Sequence, residues 1–555
     1  VPVTAALQDA RRASAAAVGL AVLLALLWLP NLGERKLTRP DEARYAEIAR
    51  EMAATGDWLT PRLNGYKYFE KPPLQYWATA AAFATFGVHE WTARLWIGLT
   101  GLLGIALAWY VANRLRGPPA GGYAAAVLAS AGIYVALGHV NTLDMGVTFF
   151  LSAAVFAIVL AQRDATPERE RRRWMLAAWA ACAAATLSKG LIGIVLPAGA
   201  VVLYALIQRD AALLTRLHLR WGMALFLALA APWFIAVSAA NAEFARYFFY
   251  QEHIERFLTR MHGHEGPLWY YIPVVVGGLV PWAIVLAPAL PAAWSADRAA
   301  RFRPLRFLLV WAAAVLLFFS AAGSKLAPYV LPLIPALAVV VGAALPSVSR
   351  RWVLAQAALF AGLGIAGALA APSLVMRRAG PTLPAELLAA LLPWAVAAGC
   401  ALAAGCLLAA VAEWRHRRGL AVAAFAAGGL AFAQLGLAAH ERLSPVYSAY
   451  HTVARVKNMV GPDVPFYTVG VFDHSLPFYL GRTVTMVAIW DELAQSVAWE
   501  PANFVPTYAA FAERWARDRD AFAMFKPADF EEFRKKGLPM TVVASDPRRV
   551  IVRKP

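Results

Sequence analysis

Apolar runs long enough to cross a bilayer as helices alternate with short basic loops along most of the chain. The pattern predicts membrane helices at about 15–30, 91–112, 119–137, 143–162, 174–187, 190–208, 221–239, 269–292, 307–321, 327–346, 353–375, 384–411 and 419–437, about thirteen in all. A β-barrel would instead show short segments of alternating polarity. Residues 76–88 are apolar but too short to span, and predict a helix lying at the interface. From about 440 the period changes. Residues 464–471, 486–490, 540–544 and 549–553 predict strands, 504–519 a helix, and Lys526-Pro527 opens another. The expected fold is therefore a polytopic all-α membrane domain over 1–438, with aqueous loops at 31–90 and 240–268, followed by an α/β domain over 439–555.

The polar run Asn31–Gln75 interrupts this apolar background and carries Asp41, Glu42, Arg44, Tyr45, Tyr68, Glu70 and Lys71. Such groups cost several kcal/mol each in hydrocarbon, so the run belongs in water or at the membrane surface. A plain solvated linker is the simplest account of a polar loop, but this one interleaves carboxylates with aromatics. Pro40 marks a helix start with Asp41 able to cap it, which puts Asp41 and Tyr45 on one face with Arg44 beside them. Lys71-Pro72-Pro73 predicts stiff extended backbone before the next helix.

The net charge of +18 would suggest nucleic acid in a soluble protein. Here the arginines crowd short loops (Arg114 and Arg116; Arg163 and Arg169–Arg173; Arg209, Arg216 and Arg220; Arg298–Arg306; Arg350 and Arg351; Arg415–Arg418), so the positive-inside rule accounts for them with no nucleic-acid partner. With a cytoplasmic N-terminus, the polar run, Lys189, Lys325 and residues 438–555 all fall outside the cytoplasm. Arg11 and Arg12 precede an apolar run that reads as a retained helix, without a cleavable leader pattern. Cys182, Cys400 and Cys406 all lie in apolar segments and read as core residues, neither disulfide framework nor metal set.

One external face thus collects Asp41, Glu70, Lys71, Asp144, Lys189, Lys325 and Tyr329. A lone lysine at a helix end snorkels harmlessly; two beside several carboxylates suggest an anion site. The middle parts of the helices hold almost no acids or bases, which disfavours a transporter and favours an enzyme for an amphiphile whose head lies at the interface. Lys71, with Arg44 or Lys189, would neutralise a phosphate leaving group, and Asp41 would orient an acceptor or stabilise positive charge on a sugar. No Walker or dinucleotide fingerprint is present. Residues 243–257 predict a helix among lipid headgroups, and His262-Gly263-His264 is a weak metal signal. Asp473-His474-Ser475 does not make a triad, since three adjacent residues rarely converge as nucleophile, base and orienter.

Arg39-Pro40-Asp41-Glu42-Ala43-Arg44-Tyr45, Phe69-Glu70-Lys71-Pro72-Pro73-Leu74 and Ser324-Lys325 with Pro328-Tyr329 resemble the bacterial aminoarabinose transferases. Those are integral-membrane glycosyltransferases of the GT-C fold, which also includes protein O-mannosyltransferases. The resemblance implies a multi-pass Gram-negative inner-membrane enzyme whose site and C-terminal domain face the periplasm. It implies transfer of 4-amino-4-deoxy-L-arabinose from undecaprenyl phosphate to lipid A phosphates, which confers polymyxin and cationic-peptide resistance. It also implies Asp41 as principal catalytic carboxylate, with Asp144 and Glu70 as further acidic groups. Arg44, Tyr45, Tyr68, Lys71, Lys189, Lys325 and Tyr329 would bind substrate, Lys71 taking the donor phosphate. No cofactor is required on this reading; Glu70 and His253 are the candidate ligands for a divalent ion such as zinc. The expected partners are the donor, lipid A and membrane lipids, with the chain acting as a monomer. Alternatives are a related transferase acting on a protein hydroxyl or another glycan, a lipid flippase, or a membrane scaffold displaying residues 440–555.

Overall fold

The structure, a computed structural model, describes residues 19, 22–255 and 265–555, with the side chains of 253 and 254 set aside. Eight described helices are long and apolar enough to cross a membrane, from Glu90–Arg116 to Arg418–Glu441. Three shorter apolar helices, Val22–Glu34, Ala120–Ser130 and Ile192–Gln208, join them. The first part of the helix expected at 15–30, and His262 and His264, lie outside the described residues.

Several predicted spans are broken. The segment expected as 119–137 is two helices, Ala120–Ser130 and Gly132–Leu137, with Ala131 extended between them. The one expected as 269–292 is Tyr271–Gly278 and Leu286–Ser295. The span at 327 opens as a 3₁₀ turn, Ala327–Leu333, in which Pro332 cannot donate to a helical ladder. The helix expected at 76–88 is observed at Leu74–Phe86.

Glu90–Arg116 shows how local chemistry orients a span. The His89 backbone N–H donates to Thr92 Oγ1 at 3.0 Å, closing a capping box, Glu90 occupies the first turn, and Arg114 and Arg116 the last. Those arginines gather with the other basic loops: Arg114 meets Glu170 at 3.1 Å, Arg116 meets Asp297 at 2.7 Å, and Arg301 pairs with Asp210. The helices Ala385–Trp414 and Arg418–Glu441 approach closely, since a Cβ on Gly405 would lie 2.5 Å from the Gly428 Cα.

At the other end the polar run folds into the helix Asp41–Thr55 and a hairpin, β1 (Arg62–Leu63) and β2 (Tyr66–Lys67), joined through Asn64 and Gly65, both at positive φ. The C-terminal domain is a six-stranded mixed sheet of β3 (Phe466–Val469), β4 (Thr485–Val487), β5 (Phe504–Val505), β6 (Phe522–Phe525), β7 (Thr541–Ser545) and β8 (Val550–Arg553). Its order is β5-β4-β3-β6-β8-β7, with β5, β4, β3 and β6 parallel. The helix expected over 504–519 is instead β5 followed by Tyr508–Arg517, and the central strand β6 has no counterpart among the predicted elements. The domain sits on the polar run. Asn64 Nδ2 donates to the Val484 carbonyl at 2.9 Å, Val484 N–H returns a bond to Asn64 Oδ1 at 2.8 Å, and Arg62 pairs with Glu500 at 2.6 Å. Direct contact puts both on one side of the membrane, so an even number of crossings separates them.

Candidate functional site

Within the Asp-Glu pair that opens the helix Asp41–Thr55, the two carboxylates face different surroundings. The Glu42 side chain is 1% exposed and the Asp41 side chain 48% exposed. Asp41 does not cap the helix; it lies in the first turn, and Glu42 ties down the start by accepting from Thr38 N–H at 3.2 Å and Thr38 Oγ1 at 2.9 Å. Glu42 also takes Arg94 Nε at 2.7 Å and the Asn141 N–H at 3.0 Å. Burial alone would raise its pKa, but Arg94 and Arg35 hold it down to about 2. Glu42 thereby locks the Asp41 helix to a membrane helix and to the loop before Asp144.

Asp144 sits in the first turn of Leu143–Gln162, where a helix favours an acid, and Lys189 ends Glu168–Lys189, where it favours a base. The two termini meet, with Lys189 Nζ 2.5 Å from Asp144 Oδ1. The chain leaves through Gly190 at φ +88°, a conformation that suits glycine. Lys189 Nζ also lies 5.0 Å from the Tyr329 ring centroid.

These residues line a cavity of about 300 Å³ with Lys71, Glu252 and Ser324 on its polar side and Val147, Leu191, Ile192, Val195, Phe318 and Phe319 on its apolar side. Lys71 Nζ donates to the Glu70 carbonyl at 2.9 Å and to Glu252 at 3.1 Å. Glu70 feels the charges of Lys71 and Glu252 at the cavity and of Arg44 and Glu492 beyond it, and burial, the largest influence, raises its pKa. It therefore stands between the cavity and a second cluster. There Arg44 Nη1 donates to Asp41 Oδ1 at 2.9 Å and Arg44 Nη2 to Glu492 Oε2 at 2.5 Å, while His474 Nε2 donates to Glu492 Oε1. Tyr45, Tyr68 and Tyr76 are buried around it, Tyr45 and Tyr76 with ring centroids 6.1 Å apart.

The structure thus brings Lys71, Asp144, Lys189 and Tyr329 to one cavity and Asp41, Arg44, Tyr45 and Tyr68 to the adjoining cluster, with Glu70 between. Lys325 departs from expectation. It is buried, and its Nζ donates to the Ala322 carbonyl at 2.8 Å instead of lining the cavity. Glu252, Glu492 and His474 were not anticipated as site residues. No triad forms at 473–475: Asp473 takes Arg549 at 2.7 Å and Ser475 at 2.6 Å, while His474 turns to Glu492. Among the described residues no three His, Cys, Asp or Glu side chains come together as a metal set. The His253 side chain, the expected partner of Glu70, lies outside the described residues.

A bundle of apolar helices with a charged, half-apolar cavity, and an α/β domain seated on its polar run, defines a polytopic integral-membrane protein. Residues 13–248 match the family model described as dolichyl-phosphate-mannose-protein mannosyltransferase, and residues 452–554 the aminoarabinose transferase C-terminal domain. The crystal structure of ArnT from Cupriavidus metallidurans bound to undecaprenyl phosphate is 37% identical, covers 97% of each chain and superposes with a TM-score of 0.91. The apo form of that protein covers 98% of each chain with a TM-score of 0.89. The chain belongs to the ArnT family of aminoarabinose transferases. A curated relative from Sodalis glossinidius, undecaprenyl phosphate-alpha-4-amino-4-deoxy-L-arabinose arabinosyl transferase 1, is 38% identical over 58% of this chain; the match spans 58% of the relative, less than two thirds of its length. Long apolar helices and this kinship make the chain a multi-pass inner-membrane protein.

Proposed function

We propose that the chain transfers 4-amino-4-deoxy-L-arabinose from undecaprenyl phosphate to a phosphate of lipid A on the periplasmic side of the inner membrane. The observation that carries this reading is the cavity in which Lys71 and Lys189 face an apolar wall, adjoining the half-exposed Asp41. The prenyl tail would lie against Leu191, Val195 and Phe318, and the donor phosphate beside the two ammonium groups. As the anomeric C–O bond breaks, negative charge grows on that phosphate and Lys71 meets it. The lipid A phosphate is already anionic, so it attacks without losing a proton; attack opposite the leaving group inverts the anomeric centre. Asp41 then serves to orient the acceptor and to stabilise the positive charge on the sugar ring and its ammonium group. The product carries an added amine that offsets phosphate charge, which accounts for resistance to polymyxin and other cationic peptides. The thirteen crossings of this reading would be taken by the eight long helices, the three shorter apolar ones, Glu168–Lys189 and the broken segment 271–295.

Purified protein incubated with undecaprenyl-phosphate-aminoarabinose and lipid A should yield lipid A heavier by one aminoarabinose unit, read by mass spectrometry. Asp41→Asn should lower turnover by about 100- to 1,000-fold without unfolding the protein. An inert lipid A with a glycosylated protein hydroxyl would turn the reading to the mannosyltransferase-like alternative, which the match over residues 13–248 favours. Movement of intact donor across the bilayer without a covalent product would make it a flippase.

A further inference from the structure

We propose that His474 of the aqueous domain is a positioning residue, fixing the Asp41 carboxylate through Glu492 and Arg44. The inference rests on the reading of Asp41 as the catalytic carboxylate. β3 and β4 are adjacent and parallel, and His474 and Glu492 each lie a short loop beyond the carboxyl end of one of them. The sheet therefore delivers both to the same edge, facing the polar run.

Glu492 spends its two oxygens on different partners, Oε1 on His474 Nε2 and Oε2 on Arg44 Nη2. Arg44 in turn divides its two terminal nitrogens between Glu492 and Asp41. Among the described residues Arg44 is the hydrogen-bond partner of the Asp41 carboxylate, which is otherwise half in water. Without this series of bonds an exposed aspartate samples several rotamers. A simple clasp between domains would need Arg44 and Glu492 alone, and the domains already hold each other through Asn64 with Val484 and Arg62 with Glu500. His474 makes its side-chain hydrogen bond to Glu492, within its own domain, and its buried Nδ1 has no partner among the described residues. Its polar contribution is thus to set the Glu492 carboxylate.

The test compares His474→Ala with His474→Gln in the full-length protein, using undecaprenyl-phosphate-aminoarabinose and lipid A. The glutamine amide nitrogen can take the place of Nε2–H. A misplacement near 1 Å costs about 100-fold, so His474→Ala should lower kcat about 10- to 100-fold, with the donor KM within about twofold and the protein folded at the assay temperature. His474→Gln should recover to within about threefold of the wild type. On an Arg44→Lys background His474→Ala should cost nothing further, because the series is already broken. Wild-type turnover by His474→Ala, or equal loss in both variants, would overturn the positioning role. A wild type that transfers no sugar would overturn the transfer reading beneath it, so the two failures are distinguishable.

Discussion

Asp41 and Glu42 are neighbours with opposite fates, and the reason is helix geometry. A turn of 100° between them points one at the packed membrane helices and leaves the other beside the aqueous domain. The same attention to what each side chain meets applies to the cations. Lys71 faces the cavity and pairs with Glu252, whereas Lys325 spends its ammonium on the Ala322 carbonyl. Lys71→Ala should therefore raise the donor KM about tenfold or more, removing a charge-assisted contact worth about 1.5–3 kcal/mol. Lys325→Met, which removes an ammonium held on the Ala322 carbonyl, should change it by less than about threefold. Steady-state kinetics with donor varied at fixed lipid A separates the two; equal effects would contradict the cavity assignment. On the proposed reading the two ammonium groups of the cavity take the phosphate, so turnover should persist in a chelator; loss in EDTA reversed by zinc would give a metal that role.

The helix Asp41–Thr55 carries a second pair of acids, Glu47 and Glu51, one turn apart and both buried where it packs on the aqueous domain. Burial, with Glu47 adding to it, pushes the Glu51 carboxyl up to about 8, while its Oε2 accepts the Gly65 N–H at 2.8 Å. The folded state thus holds a proton that the unfolded state releases near pH 4.5. Stability from this group is full below that value and declines as pH rises toward 8. Glu51→Gln keeps the acceptor without the charge, so its stabilising effect should be roughly 2–4 kcal/mol larger at pH 8 than at pH 5. Thermal unfolding at the two pH values would reveal it, and a pH-independent difference would exclude it. The start of this helix was legible in the sequence because Pro40 and Asp41 mark it. β6 was not: Phe522–Phe525 is buried on both faces, so it shows no alternation to distinguish a strand from core. The breaks at Ala131 and between 278 and 286 were hidden for a similar reason, since apolar composition continues through them. Glu492 lies in a loop with no periodic pattern, and only the pairing of β3 with β4 and their seat on the polar run bring it to Arg44.

At the scale of the molecule, the arrangement requires the aqueous domain to sit in one register on the polar run, and Asn64 sets much of that register. It is fully buried at φ +54°, in the left-handed region that asparagine tolerates better than most side chains. Its amide exchanges two hydrogen bonds with the backbone of Val484, imitating a strand pairing between hairpin and domain. Gly65 follows at φ +82°, where a Cβ would meet Asn503 Nδ2 at 3.2 Å, so the hairpin tip is fitted closely to the domain. Asn64→Ala strands the Val484 N–H and carbonyl without partners and puts alanine at positive φ, at a cost of about 2–5 kcal/mol. That cost falls on docking, not on the membrane helices, whose contacts it does not touch. The expected result is faster hydrogen exchange through 483–487 and in Asp41–Thr55, with unchanged protection of Leu143–Gln162. Transfer should fall with it, because His474 and Glu492 travel with the domain while Arg44 and Asp41 stay with the polar run. Full turnover in a variant whose exchange shows the domain loosened would mean that transfer does not need the docked domain.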